Sequence, residues 1–85
     1  MQVFRGQRLK NHLIRSAEVL NKELCGVLCF MESKCVSYNL MTENENGKYK
    51  CELNNASYEE NKRDMEEDSN YVYRGAEVKQ LLQEG

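Results

Sequence analysis

At 85 residues the chain has room for one small domain with a thin core. Apolar residues are 40% and charged residues 31%, and no apolar run approaches the roughly 20 residues of a transmembrane helix, which excludes membrane insertion by that route. A net charge of −2 gives no bulk attraction to nucleic acid. One histidine with no second to join it argues against a histidine-based metal or catalytic cluster.

Met1 is followed by Gln-Val-Phe-Arg-Gly-Gln-Arg-Leu, which lacks the apolar core of a signal peptide. We read Met1 as an expression start and the chain as a domain of a longer secreted protein. Residues 1–20 carry scattered apolar positions, and 12–17 suit a strand. Asn21 is placed to cap a helix starting at Lys22, with Glu23 in the first turn, where the helix dipole favours an acid. Leu24, Cys25, Leu28 and Cys29 form an apolar stripe on that helix, which is expected to end near Glu32 or Ser33.

Val36–Leu40 alternates with Val36, Tyr38 and Leu40 on one face, and 49–53 alternates with Tyr49, Cys51 and Leu53 on one face. Asn46-Gly47 between them predicts a tight turn and an antiparallel hairpin. A further strand is expected at Tyr71–Arg74. Residues 54–70 are rich in charge and poor in large apolar side chains, and read as a long surface loop. Residues 1–75 form the domain; residues 76–85 read as a tail or linker with Val78, Leu81 and Leu82 at helical spacing.

The four cysteines run C-x3-C-x5-C-x15-C. Cys25 and Cys29 lie one helical turn apart, where a disulfide does not fit, so both must reach outward. Cys35 falls just past the helix end and Cys51 on the inward face of the second hairpin strand. The nested set Cys29–Cys35 and Cys25–Cys51 needs the least crossing of chains; Cys25–Cys35 with Cys29–Cys51 stays open on spacing alone. Structural zinc sites usually contain a C-x2-C knuckle, which is absent here, so disulfides and an oxidising compartment are the expectation.

Cys25-Gly26-Val27-Leu28-Cys29, Cys35-Val36-Ser37-Tyr38-Asn39-Leu40, Cys51-Glu52-Leu53-Asn54-Asn55 and Tyr71-Val72-Tyr73-Arg74 together resemble the PAN/apple domain family over about residues 4 to 75. The match is to the four-cysteine PAN-type module, since the extra cysteine pair of the six-cysteine branch is missing. The resemblance implies an α+β fold, with an antiparallel sheet of about five strands packed on one helix and stapled by the nested disulfides. It also implies an extracellular, non-catalytic module that binds proteins or carbohydrates. No family binding motif maps onto this chain residue by residue.

Several residues are candidates for more than structure. Arg5, Arg8, Lys10 and Arg15 belong to a basic stretch, residues 1–22, that offers a strip for a glycan or an acidic partner; an ordinary solvated face is the plainer reading. Asn55-Ala56-Ser57 is an N-glycosylation triplet. Tyr58, in the polar segment, is a candidate exposed contact, whereas Tyr38 and Tyr49 read as core or hairpin residues. The acidic run Glu66-Glu67-Asp68 lacks a calcium-loop pattern. His12 has no catalytic partner at suitable spacing, and Ser33, Ser37 and Ser57 lack a nucleophile-elbow context.

These readings converge on an extracellular recognition module of a larger secreted or cell-surface protein. No cofactor or metal is implied, and the isolated domain is expected to be a monomer. Loops 42–47 and 54–70 are the expected contact elements. Two alternatives come from other classes: a free-standing disulfide-rich effector, such as an inhibitor or toxin, and a cytosolic zinc-binding domain.

Overall fold

The computed structural model describes residues 2–44 and 46–76. In chain order the elements are β1 (Val3–Leu9), β2 (Leu13–Val19), α1 (Glu23–Met31), β3 (Ser37–Met41), β4 (Tyr49–Asn54) and β5 (Met65–Gly75). Two 3-10 turns, Tyr58–Glu60 and Lys62–Asp64, lie between β4 and β5. The strands form one antiparallel five-stranded sheet in the order β1-β5-β3-β4-β2. The expectations for residues 77–85 lie outside the described residues.

The local signals act where the sequence places them. The Asn21 side-chain oxygen accepts a hydrogen bond from the Leu24 N–H at 3.1 Å, satisfying one donor of the first helical turn. Asn46 and Gly47 both take positive φ, 55° and 79°, and β3 pairs antiparallel with β4. This is the hairpin that the Asn-Gly pair predicts.

Helix α1 sits on one face of the sheet. Cys25 and Cys29 are buried among Val19, Tyr38, Leu40, Cys51 and Leu53, and Leu28, Ile14, Tyr49 and Ala76 pack around them. The disulfides are Cys25–Cys51 and Cys29–Cys35, the nested pair, and all four sulfurs are consumed. The first ties α1 to β4; the second ties the helix to the segment that leads into β3. A closure of 26 residues is worth about 3.5 kcal/mol in the chain-entropy model and one of 6 residues about 2 kcal/mol. Both are large against the few kcal/mol that hold a domain of this size.

The second face of the sheet is also covered. By strand alternation Ser37, Asn39, Glu52 and Asn54 point away from the helix, yet all four are at most 3% exposed. The cover comes from the β1–β5 ribbon and from the segment after β4. Val3, Phe4 and Arg5 pair with Arg74, Tyr73 and Val72, whereas Gln7, Arg8 and Leu9 pair with Glu67, Glu66 and Met65. Across that irregularity β5 advances further than β1, with Gly6 at φ 75°, and Leu9 is carried over Asn39.

Residues 54–70 are therefore not a long surface loop. They comprise the last residue of β4, two helical turns and the first half of β5; the backbone of 65–67 pairs with β1, and the Glu66 and Asp64 side chains meet Arg8 and His12, none of which alternation registers. Tyr58 is corrected with them. It is half-buried, its ring lies 4.7 Å from that of Phe4, and its N–H donates to the Tyr73 hydroxyl at 2.8 Å.

Candidate recognition surface

The polar cluster under the second face is the most highly connected group of charges in the domain. Glu52 is buried and accepts from Arg8 at two points, Nε at 2.8 Å and Nη2 at 3.0 Å. Asn39 Nδ2 donates to Glu52 at 3.1 Å and to the Leu9 carbonyl at 2.8 Å, while Asn39 Oδ1 accepts from the Leu9 N–H at 2.9 Å. The Asn39 carboxamide thus replaces a ladder partner for Leu9. Glu66 lies 3.4 Å from Arg8, and the guanidinium stands 5.2 Å above the Tyr71 ring. The Glu52 hydrogen bond holds the Arg8 pKa above its ordinary value. Every charge named here has a partner inside the fold, which makes the cluster an internal brace.

That arrangement decides the fate of the basic residues. Arg5 and Arg15 are exposed but sit on β1 and β2, the two opposite edges of the sheet. Arg8 turns inward to Glu52. Lys10 is exposed just beyond β1. The structure does not gather these four into one strip.

At the β1–β2 connection a second small network forms. His12 Nε2 lies 2.6 Å from Asp64 Oδ2, Asn11 Nδ2 donates to Asp64 Oδ1 at 3.1 Å, and Lys10 N–H donates to the Asp64 carbonyl. The His12 hydrogen bond, and next the Asn11 one, hold the Asp64 carboxyl below the usual carboxylate range. This network locks the loop to the second 3-10 turn. Among the described residues neither a serine nor a cysteine joins His12 in these contacts. Among the described residues no group of three or more His, Cys, Asp or Glu side chains could hold a metal ion.

An open groove of about 620 Å³ runs between β2 and the β3–β4 hairpin, lined by Ser16, Ala17, Glu18, Met41, Lys48 and Lys50. It sets two lysines against one glutamate. None of these side chains is aromatic, so a sugar ring finds no stacking platform there.

The surface that departs most from a solvated face is the outer side of α1. Cys25, Leu28 and Cys29 point into the core, and Gly26 passes close to the Tyr38 ring. The remaining apolar residues, Leu24, Val27, Phe30 and Met31, recur at helical spacing on the opposite side and are 38%, 48%, 48% and 75% exposed. Leu20 and Val36, which precede and follow the helix in the chain, are also exposed, at 71% and 42%. Glu23 is the only charged residue within Glu23–Met31. A helix that is apolar all round is ordinarily buried all round. Here one side is buried in the domain and the other is open.

The sequence reading found the inward stripe of Cys25, Leu28 and Cys29 but counted Leu24 with it, which is exposed instead because it lies at the margin of the buried face, and it passed over the outward residues. The signal was present in Val27, Phe30 and Met31, which no inward-facing stripe accommodates. No family model matches the chain, and no curated protein matches it.

Proposed function

We propose that the chain is an extracellular, non-catalytic recognition module of the PAN type, and that it engages a protein partner through the outer face of α1. The two disulfides are consistent with an extracellular or secreted setting, because such bonds persist where the surroundings are oxidising. No described helix is long and apolar enough to cross a membrane. The observation that carries the reading is the row Leu24, Val27, Phe30 and Met31, held outward on the helix that Cys25–Cys51 fixes to the sheet. A covalently fixed helix loses little freedom on binding, so its exposed side chains can contribute most of their burial to affinity.

A protein is favoured over a sulfated glycan on charge. A sulfated chain needs clustered cations, and here Arg5 and Arg15 stand on opposite edges while Arg8 is neutralised by Glu52. An apolar row suits an apolar patch on another protein, with aromatic and methionine side chains as anchors.

The test is a screen of the oxidised module against arrayed extracellular proteins, with sulfated glycans on the same array. The expected result is a protein ligand whose affinity falls at least about tenfold for Phe30→Glu. Binding only to glycans, binding indifferent to Phe30→Glu, or no ligand at high micromolar concentration overturns the reading.

A further inference from the structure

We propose that Asn55 is an N-glycan acceptor, presented by the turn that follows β4. This inference rests on the extracellular reading above. Of the asparagines in the chain, only Asn55 is followed two positions later by a serine or threonine, Ser57.

The structure separates Asn55 from its neighbour. Asn54 closes β4, is 1% exposed, and donates its amide to the Ser37 hydroxyl at 3.3 Å. Asn55 is exposed, and among the described residues its carboxamide has no hydrogen-bond partner. Its backbone, by contrast, is fixed. The Asn55 N–H donates to the His12 carbonyl at 3.0 Å, the Asn54 carbonyl accepts from Val36 N–H at 3.0 Å, and the Ala56 carbonyl accepts from the Ser37 hydroxyl at 2.6 Å. The main chain on both sides is anchored, while the exposed Asn55 side chain carries the nitrogen that glycosylation uses. A large substituent there disturbs no ladder, no buried side chain and neither disulfide.

The reaction is a glycosyl transfer. Asn55 Nδ2 attacks the anomeric carbon of an oligosaccharide carried on a lipid diphosphate, the donor class of the secretory lumen. The carbon–oxygen bond to the diphosphate breaks and the nitrogen–carbon bond forms. The lipid diphosphate leaves with the bonding electrons, and one proton is lost from Nδ2. No oxidant or reductant is required. The modification adds a bulky solubilising group at one end of β4.

The test is secretion of the full chain from cultured eukaryotic cells, followed by non-reducing intact mass before and after an amidase that cleaves the sugar–asparagine bond. The expected result is a glycan on most molecules, with both disulfides formed and an aspartate left at position 55 after the amidase. Asn55→Gln and Ser57→Ala abolish the glycan, and Ser57→Thr retains it. A secreted chain with both disulfides formed and most molecules unmodified overturns this inference alone. A glycan that survives Asn55→Gln also overturns it. A chain that emerges without disulfides overturns the extracellular reading as well.

Discussion

Arg8 and Glu52, 44 residues apart in sequence, meet in a two-point ion pair on the face of the sheet that carries no helix, with the Glu52 side chain 4% exposed and that of Arg8 29% exposed. The asymmetry of exposure sets the sign of an experiment. Removing Arg8 leaves a buried carboxylate with Asn39 as its remaining close donor and Lys50 at 3.9 Å. Removing Glu52 leaves a guanidinium that still reaches water, Glu66 and the Tyr71 ring. Breaking a buried pair costs about 3–5 kcal/mol when the survivor is stranded. Arg8→Ala is therefore expected near the lower end of that range and Glu52→Ala below it, measured by denaturant unfolding of the oxidised protein. Equal costs would mean that burial of Glu52 is not what matters.

Asp64 predicts a pH dependence. Its pKa is lowered in the folded state, so the unfolded state binds the proton more readily. Its contribution to stability is present above the usual carboxylate range and is lost as pH falls through the lowered value. Asp64→Asn removes that contribution at neutral pH. The expected outcome is a wild-type melting temperature above that of Asp64→Asn at pH 7, with the gap narrowing as the solution is acidified below the usual carboxylate range. A gap that widens in acid would contradict the assignment.

The disulfides differ in the loops they close. Cys25→Ala with Cys51→Ala should lose about 3.5 kcal/mol, and Cys29→Ala with Cys35→Ala about 2 kcal/mol. Denaturant titration of the two double variants checks the order. All four cysteines are fully buried, so a thiol-reactive dye should label none of them in untreated native protein.

Gly26 and Tyr38 are coupled by space. A Cβ built at Gly26 would lie 3.0 Å from the Tyr38 hydroxyl oxygen and 3.6 Å from the ring carbon that bears it. Alanine favours the helix by about 1 kcal/mol over glycine, but at this position the buried hydroxyl must first give way. Gly26→Ala should therefore stabilise the Tyr38→Phe protein more than the wild type. A double-mutant cycle on unfolding free energy reads the difference.

The outer face of α1 gives a prediction of the opposite kind. Phe30 and Val27 make up an open surface in the isolated module, so Phe30→Gln and Val27→Gln should change its stability by no more than about 0.5 kcal/mol. A larger loss would show that these side chains pack within the domain.

Where the signal is local, the sequence alone determined the structure. Helix α1 follows from the Asn21 cap and the spacing of Cys25, Leu28 and Cys29. The β3–β4 hairpin follows from alternation on either side of Asn46-Gly47, two residues that take the positive φ a chain reversal uses. The cysteine spacing narrowed the pairing, and the fold selected Cys25–Cys51 with Cys29–Cys35. Tertiary structure alone decided the second face. Ser37, Asn39, Glu52 and Asn54 alternate with apolar residues as a solvated face would, and a polar side chain carries no mark in sequence of whether its partner is water or Arg8. The distant β1–β5 ribbon supplied the partners of Asn39 and Glu52, the segment after β4 supplied that of Ser37, and 54–70 became cover rather than loop. It also drew Arg8 away from the surface. The same physics separates the two sides of α1: hydrophobic attraction has no direction, so only the position of the sheet determines which apolar stripe becomes core and which is left to meet a partner.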